Sequence, residues 1–236
     1  MSTRLRTNRR DFLRASLATS AVFGTESALT VTKTRAASEN GGTAKNVIFM
    51  VSDGMNHGAL SLARQFRENA GGGETRWTRL YRERPVVRSL VETFSANSCV
   101  TDSAAAASAW GGGQRVNNGS LNILPDGKPV RTLHEKIQAA GWKTGLVTTA
   151  TITHATPAGF ASNLESRGDE AAVAEQYLER RVDVLLGGGR KFYSPELKQR
   201  YAAAGYAVVE TRDDLLGLPV EAGKPVLGVF FDSHLP

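Results

Sequence analysis

Three features of this 236-residue chain point to an α/β three-layer sandwich around a largely parallel central sheet. Apolar runs of strand length alternate with helical stretches from residue 46 onward, the order that builds parallel sheets with helices on their faces. Several of those runs are continuous rather than alternating, which marks strands covered on both sides. Chemically competent polar residues stand just beyond the strands, where open α/β sheets keep their ligands. No internal repeat is visible.

The first 36 residues are set apart from this pattern. Asn8-Arg9-Arg10-Asp11-Phe12-Leu13 is a twin-arginine motif, followed by a mildly apolar stretch over 15–31 and a small-residue site at Thr34-Arg35-Ala36. Glu26, Gly24 and several Ser/Thr make that stretch too short and too polar for a membrane span, so no stable membrane insertion is expected. Residues 1–36 therefore read as an export leader, 37–45 as a polar linker and 46–236 as the folded domain. Export by the twin-arginine route, to the periplasm or the exterior, follows. The leader holds seven Lys/Arg against two acids, so it carries +5 of the net charge of +6 and leaves the remainder nearly neutral at +1. A basic chain would suggest nucleic acid, but this charge leaves with the leader, and a nucleic-acid partner is excluded. Cys99 is the only cysteine, which rules out an internal disulfide framework.

Along the domain, Val47-Ile48-Phe49-Met50-Val51 reads as a buried strand ending at Ser52-Asp53-Gly54. Residues 58–69 have a helical pattern, 71–73 form a glycine loop and 85–94 read as a second strand. Asp102-Ser103 before four alanines marks a helix start, closed by the glycines at 111–113. Residues 117–127 are rich in turn formers. A helix over 132–140 precedes a β-branched strand within 142–153, and Thr156-Pro157 opens another helix, with Thr as cap and Pro at the first position. Helices over 169–181 and 196–204 then alternate with strands over 182–186, 206–210 and 226–231. Gly187-Gly188-Gly189-Arg190 lacks the G-K-[ST] ending of a phosphate loop and reads as a strand-end turn. With five residues after the last strand, the domain reads as incomplete at its C-terminus.

The residues with chemistry cluster at three strand ends: Asp53, the pair Asp102-Ser103, and His154 with Thr156. Backbone N–H groups at a helix start lack intrahelical partners and carry the positive end of the dipole, which favours an oxyanion beside Ser103. Hard oxygens of this kind suit Mg²⁺, and a carboxylate with alkoxide and imidazole suits Zn²⁺. No G-x-S-x-G is present and no histidine neighbours Ser103, so a Ser-His-Asp hydrolase has little support. Each residue also has a plain structural role open to it: Asp102 and Thr156 as caps, Asp53 as a turn residue, His154 as a hydrogen-bonding partner. Arg167 is the hardest to place, because eleven residues of straight helix from Thr156 would carry it about 16 Å away.

Four ordered stretches, K-N-V-I-F-M-V-S-D-G-M (45–55), V-T-D-S-A-A-A-A-S-A-W (100–110), H-A-T-P-A-G-F-A-S-N-L-E-S-R (154–167) and V-D-V-L-L-G-G-G-R (182–190), resemble the alkaline phosphatase family. The resemblance covers about the first half of that family's domain. It implies a metal-dependent phosphate monoester hydrolase acting through a phosphoserine, with Zn²⁺ and Mg²⁺ as cofactors and small phosphate monoesters as substrates; a homodimer is compatible with it. Carried over by position, Ser103 corresponds to the nucleophile and a zinc ligand, Asp53 to the carboxylate bridging Zn²⁺ and Mg²⁺, and Thr156 to a Mg²⁺ ligand. His154 falls where members of the family carry Asp or His at the third metal. Arg167 corresponds to the guanidinium that grips phosphate, and Asp102 to the residue that holds it. The remaining zinc ligands belong to the family's second half, so a truncated chain with an incomplete metal centre is expected. The alternatives are an inactive exported fragment that binds phosphate or metal, and a sulfatase or phosphodiesterase relative, the former of which lacks its C/S-x-P-x-R motif here.

Overall fold

The computed structural model describes residues 44–219 and 223–236. The expected leader and all but the last two residues of the expected linker lie outside the described residues. The chain divides after Met50 into two units, and within the first the described residues 44–50 form neither helix nor strand.

Two expected strands are absent. Residues 47–51 carry no strand pairing among the described residues, and Val47, Ile48 and Met50 are each more than three-quarters exposed. Residues 85–94 likewise form no strand, with Val87 93% and Leu90 83% exposed. An apolar sequence sets a preference for extended backbone, but a strand exists only where a neighbouring chain completes its hydrogen-bond ladder. Between these runs lie α1 (His57–Asn69) and α2 (Arg76–Glu83). Asn56 and Thr75 cap them, accepting from the N–H groups of Ala59 and Thr78, yet neither helix buries a side chain.

From residue 95 onward the pattern translates into packing. Helix α3 (Ser103–Gly112) is capped by Asp102 and stopped by Gly113, whose φ of 77° lies in the left-handed region that glycine tolerates. Helix α4 (Leu133–Ala139) opens with a Thr132/Glu135 capping box. Then follow β1 (Gly145–Thr151), α5 (Ala155–Ala161), α6 (Glu170–Glu179), β2 (Val184–Gly188), a 3₁₀ turn (Arg190–Phe192), α7 (Pro195–Ala203), β3 (Ala207–Val209), α8 (Arg212–Gly217) and β4 (Val226–Val229). The four strands form one parallel sheet in the order β1-β2-β4-β3. Leu185 of β2 pairs with Leu146 on one side and Leu227 on the other. The mixed α/β class with a parallel sheet is thus as the sequence indicates.

Ile152, Val173, Tyr177, Leu185, Tyr201, Leu227 and Val229 form the buried core. Its tyrosines bring hydroxyls that need partners in the interior. Tyr177 donates to the carbonyl of Ile152 at 3.0 Å, Tyr201 to that of Ala174 at 2.7 Å and Tyr206 to that of Val182 at 2.9 Å. The 187–190 stretch is a strand end, as expected. A side chain on Gly188 would strike the Ser233 carbonyl, so glycine there admits the returning segment whose carbonyls at 231 and 233 accept from Gly189 N–H. Among the described residues, no helix is long and apolar enough to cross a membrane.

Candidate active site

Helices α3 and α5 meet through small residues. A Cβ on Gly159 would lie 2.5 Å from that of Ala107, and one on Gly111 would overlap the backbone of Gly159. Ala104, Ala105, Ala107 and Ala158 are buried in the same contact region. This approach brings the first turn of α3, carrying Ser103, beside that of α5, carrying Thr156. Both reach one oxygen: Ser103 Oγ donates to Asp53 Oδ2 at 2.8 Å and Thr156 Oγ1 to the same atom at 3.3 Å.

A second cluster forms around Asp102. Its Oδ1 accepts from Ala105 N–H at 2.9 Å as the helix cap, while Oδ2 accepts from Gly119 N–H at 3.0 Å and from Arg167 Nη1 at 3.1 Å. Asn118 fixes the same residue by accepting from Asp102 N–H at 3.0 Å. Arg167 Nη2 donates to His154 Nε2 at 3.2 Å. A guanidinium can only donate, so Nε2 holds a lone pair and the proton of the neutral ring is on Nδ1. Burial lowers the pKa of His154 first, and the positive Arg167 beside it lowers it further.

The distance problem of Arg167 is solved by a reversal of the chain. Helix α5 stops at Ala161 and the next residues turn extended, forming an antiparallel bridge between Leu164 and Leu121. Arg167 N–H then donates to Gly119 O at 2.7 Å. Asn122, fully buried, secures the reversal by donating its side-chain amide to Gly159 O and Ser162 O. The structure therefore gathers all six sequence-derived residues: Asp53, Asp102, Ser103, His154, Thr156 and Arg167.

Sequence reading passed over three neighbours. His234 accepts from Thr151 N–H at 3.0 Å, and its ring lies edge-on to His154 with centroids 5.8 Å apart. Glu170 accepts from the hydroxyls of Thr151 and Thr153. Asn118 is the third. Only Glu170 left a local signal, as an acid in the first turn of a helix.

The donors at Asp53 are hard oxygens that fit a single Mg²⁺. The same test fails for a pair of Zn²⁺ ions, since the described residues contain no group of three or more His, Cys, Asp or Glu side chains able to hold a metal.

Fold and geometry together define a class: a parallel-sheet α/β protein in which hydroxyl, carboxylate and guanidinium groups converge beside two helix N-termini. Comparison with known proteins sharpens that class. The alkaline phosphatase family model matches residues 44–236, and the chain belongs to the alkaline phosphatase family. It is 35% identical over 209 residues to the alkaline phosphatase of Schizosaccharomyces pombe, spanning 81% of this chain and 38% of that protein. Among solved structures, the Thermus thermophilus alkaline phosphatase is 38% identical with a TM-score of 0.68, over 75% of this chain and 38% of that one. A cold-active alkaline phosphatase from Shewanella is 34% identical with a TM-score of 0.71, over 79% and 46%. The chain thus spans less than half the length of these relatives.

Proposed function

We propose that this chain carries the nucleophile and the phosphate grip of a phosphate monoester hydrolase that works through a phosphoserine at Ser103. The observation that supports it best is the pairing of Ser103 Oγ with Asp53 Oδ2 at 2.8 Å while the adjacent Asp102 holds Arg167. In this reading the hydrogen bond to Asp53 orients Oγ for in-line attack on phosphorus. The Oγ–P bond forms as the Oγ proton passes towards Asp53 Oδ2 and the bond from phosphorus to the leaving oxygen breaks, the leaving oxygen taking a proton from solvent; water then cleaves the phosphoserine, returning a proton to Ser103 Oγ and releasing phosphate. Arg167, steered by Asp102, pairs two phosphate oxygens with its planar fork, and the N-terminal N–H groups of α3 add positive field at the same point.

Asp53 and Thr156 would hold Mg²⁺, with His154 beside them; the ion would supply fixed positive charge and an ordered water. Zn²⁺ belongs to the family expectation, but the described residues do not gather its donors, and no step is assigned to it.

The test is hydrolysis of an aryl phosphate by the purified chain with Mg²⁺ and Zn²⁺, beside Ser103→Ala. Weak turnover that disappears in the variant is expected. Turnover that survives the substitution would refute Ser103 as nucleophile, and vigorous wild-type turnover would refute the incomplete centre. The twin-arginine motif supports export of the chain to the periplasm or exterior. Cell fractionation checks this, and retention in the cytoplasm would refute it.

A further inference from the structure

Turn 151–154 lies between β1 and α5 and delivers His154 and Thr156 to the site. Backbone bonds fix it locally, His154 N–H donating to Thr151 O and Ile152 N–H to Gly188 O, both at 2.9 Å. His154 is the residue before α5 and makes no side-chain cap bond, so the helix start lacks the usual local fixture. The side chains of the turn are held from α6. Glu170, in the first turn of that helix, accepts from Thr151 Oγ1 at 2.5 Å and from Thr153 Oγ1 at 2.7 Å, and both bonds end on the same carboxylate oxygen, Oε2. About two turns further along the same face, Tyr177 donates to the carbonyl of Ile152 at 3.0 Å. Thr151 is 2% and Thr153 0% exposed, so neither hydroxyl has water to fall back on.

Glu170 also closes the loop that carries Arg167. That loop is fixed upstream by Leu164 on Leu121 and by Arg167 N–H on Gly119 O. Its downstream end is the start of α6, where Glu170 sits. A single carboxylate therefore ties the segment bearing His154 and Thr156 to the segment bearing Arg167.

We propose that Glu170 is a positioning residue for the cation- and phosphate-binding centre, acting through hydrogen bonds to Thr151 and Thr153 and not through its charge. This rests on the proposed reading of Asp53 and Thr156 as the cation site. Because both bonds converge on one oxygen, an amide can replace the carboxylate. Glu170→Gln keeps an acceptor there; Glu170→Ala removes it.

The experiment measures Mn²⁺ affinity, as a spectroscopic stand-in for Mg²⁺, together with amide hydrogen exchange over residues 152–156 in the purified chain. Glu170→Ala is expected to weaken Mn²⁺ binding by about 10- to 100-fold, the range seen when groups that orient metal ligands are removed, and to speed exchange in the turn. Glu170→Gln is expected to match wild type in both. Failure of Glu170→Gln alongside Glu170→Ala would overturn the hydrogen-bonding account, and unchanged exchange in Glu170→Ala would overturn the proposal outright. Asp53→Asn separates the two readings: if it binds Mn²⁺ like wild type, the cation site is elsewhere, while the exchange measurement still decides the role of Glu170. Should Glu170→Ala not fold, the double substitution Thr151→Val with Thr153→Val removes the donors instead, and a turn as protected as in wild type would refute the proposal.

Discussion

Residues 51–94 and residues 95–236 have comparable apolar content along their runs but opposite fates. In the first stretch two capped helices bury no side chain and the run at 85–94 stays exposed. In the second, helices of seven to ten residues sink alanines, glycines and tyrosines into a continuous core. Capping and periodicity are present in both. What differs is a surface to pack against, and most helical stability in proteins comes from that packing rather than from propensity.

The contrast can be broken at its strongest point by crowding the α3–α5 contact. Gly159→Ala places a methyl 2.5 Å from Ala107 Cβ and 2.7 Å from that residue's carbonyl carbon, and backbone cannot step aside as a side chain can. A loss of about 3 kcal/mol is expected in chemical denaturation, at the upper end for overpacked interiors.

A smaller effect comes from His134, which is 4% exposed. Its Nε2 donates to Arg180 O and its Nδ1 is hydrogen-bonded to Thr144 Oγ1, both at 2.9 Å. Burial lowers its pKa from the ordinary 6.5. Below that value the unfolded ring takes up a proton that the folded ring resists. Stability from this group is therefore complete above pH 6.5 and declines as pH falls towards the folded value, by at most about 1.4 kcal/mol per unit. Denaturant midpoints at pH 7.5 and 5.5 should converge in His134→Gln relative to wild type; an equal acid loss in both would show that another group titrates. The smallest effect belongs to the exposed stretch: Val87→Ala, at 93% exposure, should leave stability within about 0.5 kcal/mol. A large loss there would mean that this run is packed in solution, and the contrast between the two regions would fall.

What the sequence makes legible follows the same division. Asp102-Ser103 and Thr156-Pro157 are local signals, read from a few adjacent residues; the first marks its cap and helix start as expected, whereas the second helix begins at Ala155, so Thr156 is not its cap and Pro157 is its third residue, not its first. The strands within 142–153 and 182–186 are legible because their apolar runs find partners in one parallel sheet. Residues 47–51 show the opposite: five apolar residues announce a strand, but pairing is a property of two segments and no single run contains it. Arg167 was opaque for a related reason. Its return depends on the Leu121–Leu164 bridge and on the buried amide of Asn122, contacts made between segments distant in the chain. Glu170 was overlooked because an acid at a helix start has an ordinary explanation.

Asp102 serves three neighbours at once. One carboxylate finishes a helix, gathers the Gly119 turn and holds the guanidinium, so a library screened for soluble expression and another screened for phosphate capture should be depleted at the same codon. In the proposed reading, selection acting on this position cannot trade yield against phosphate binding, because a single group serves both.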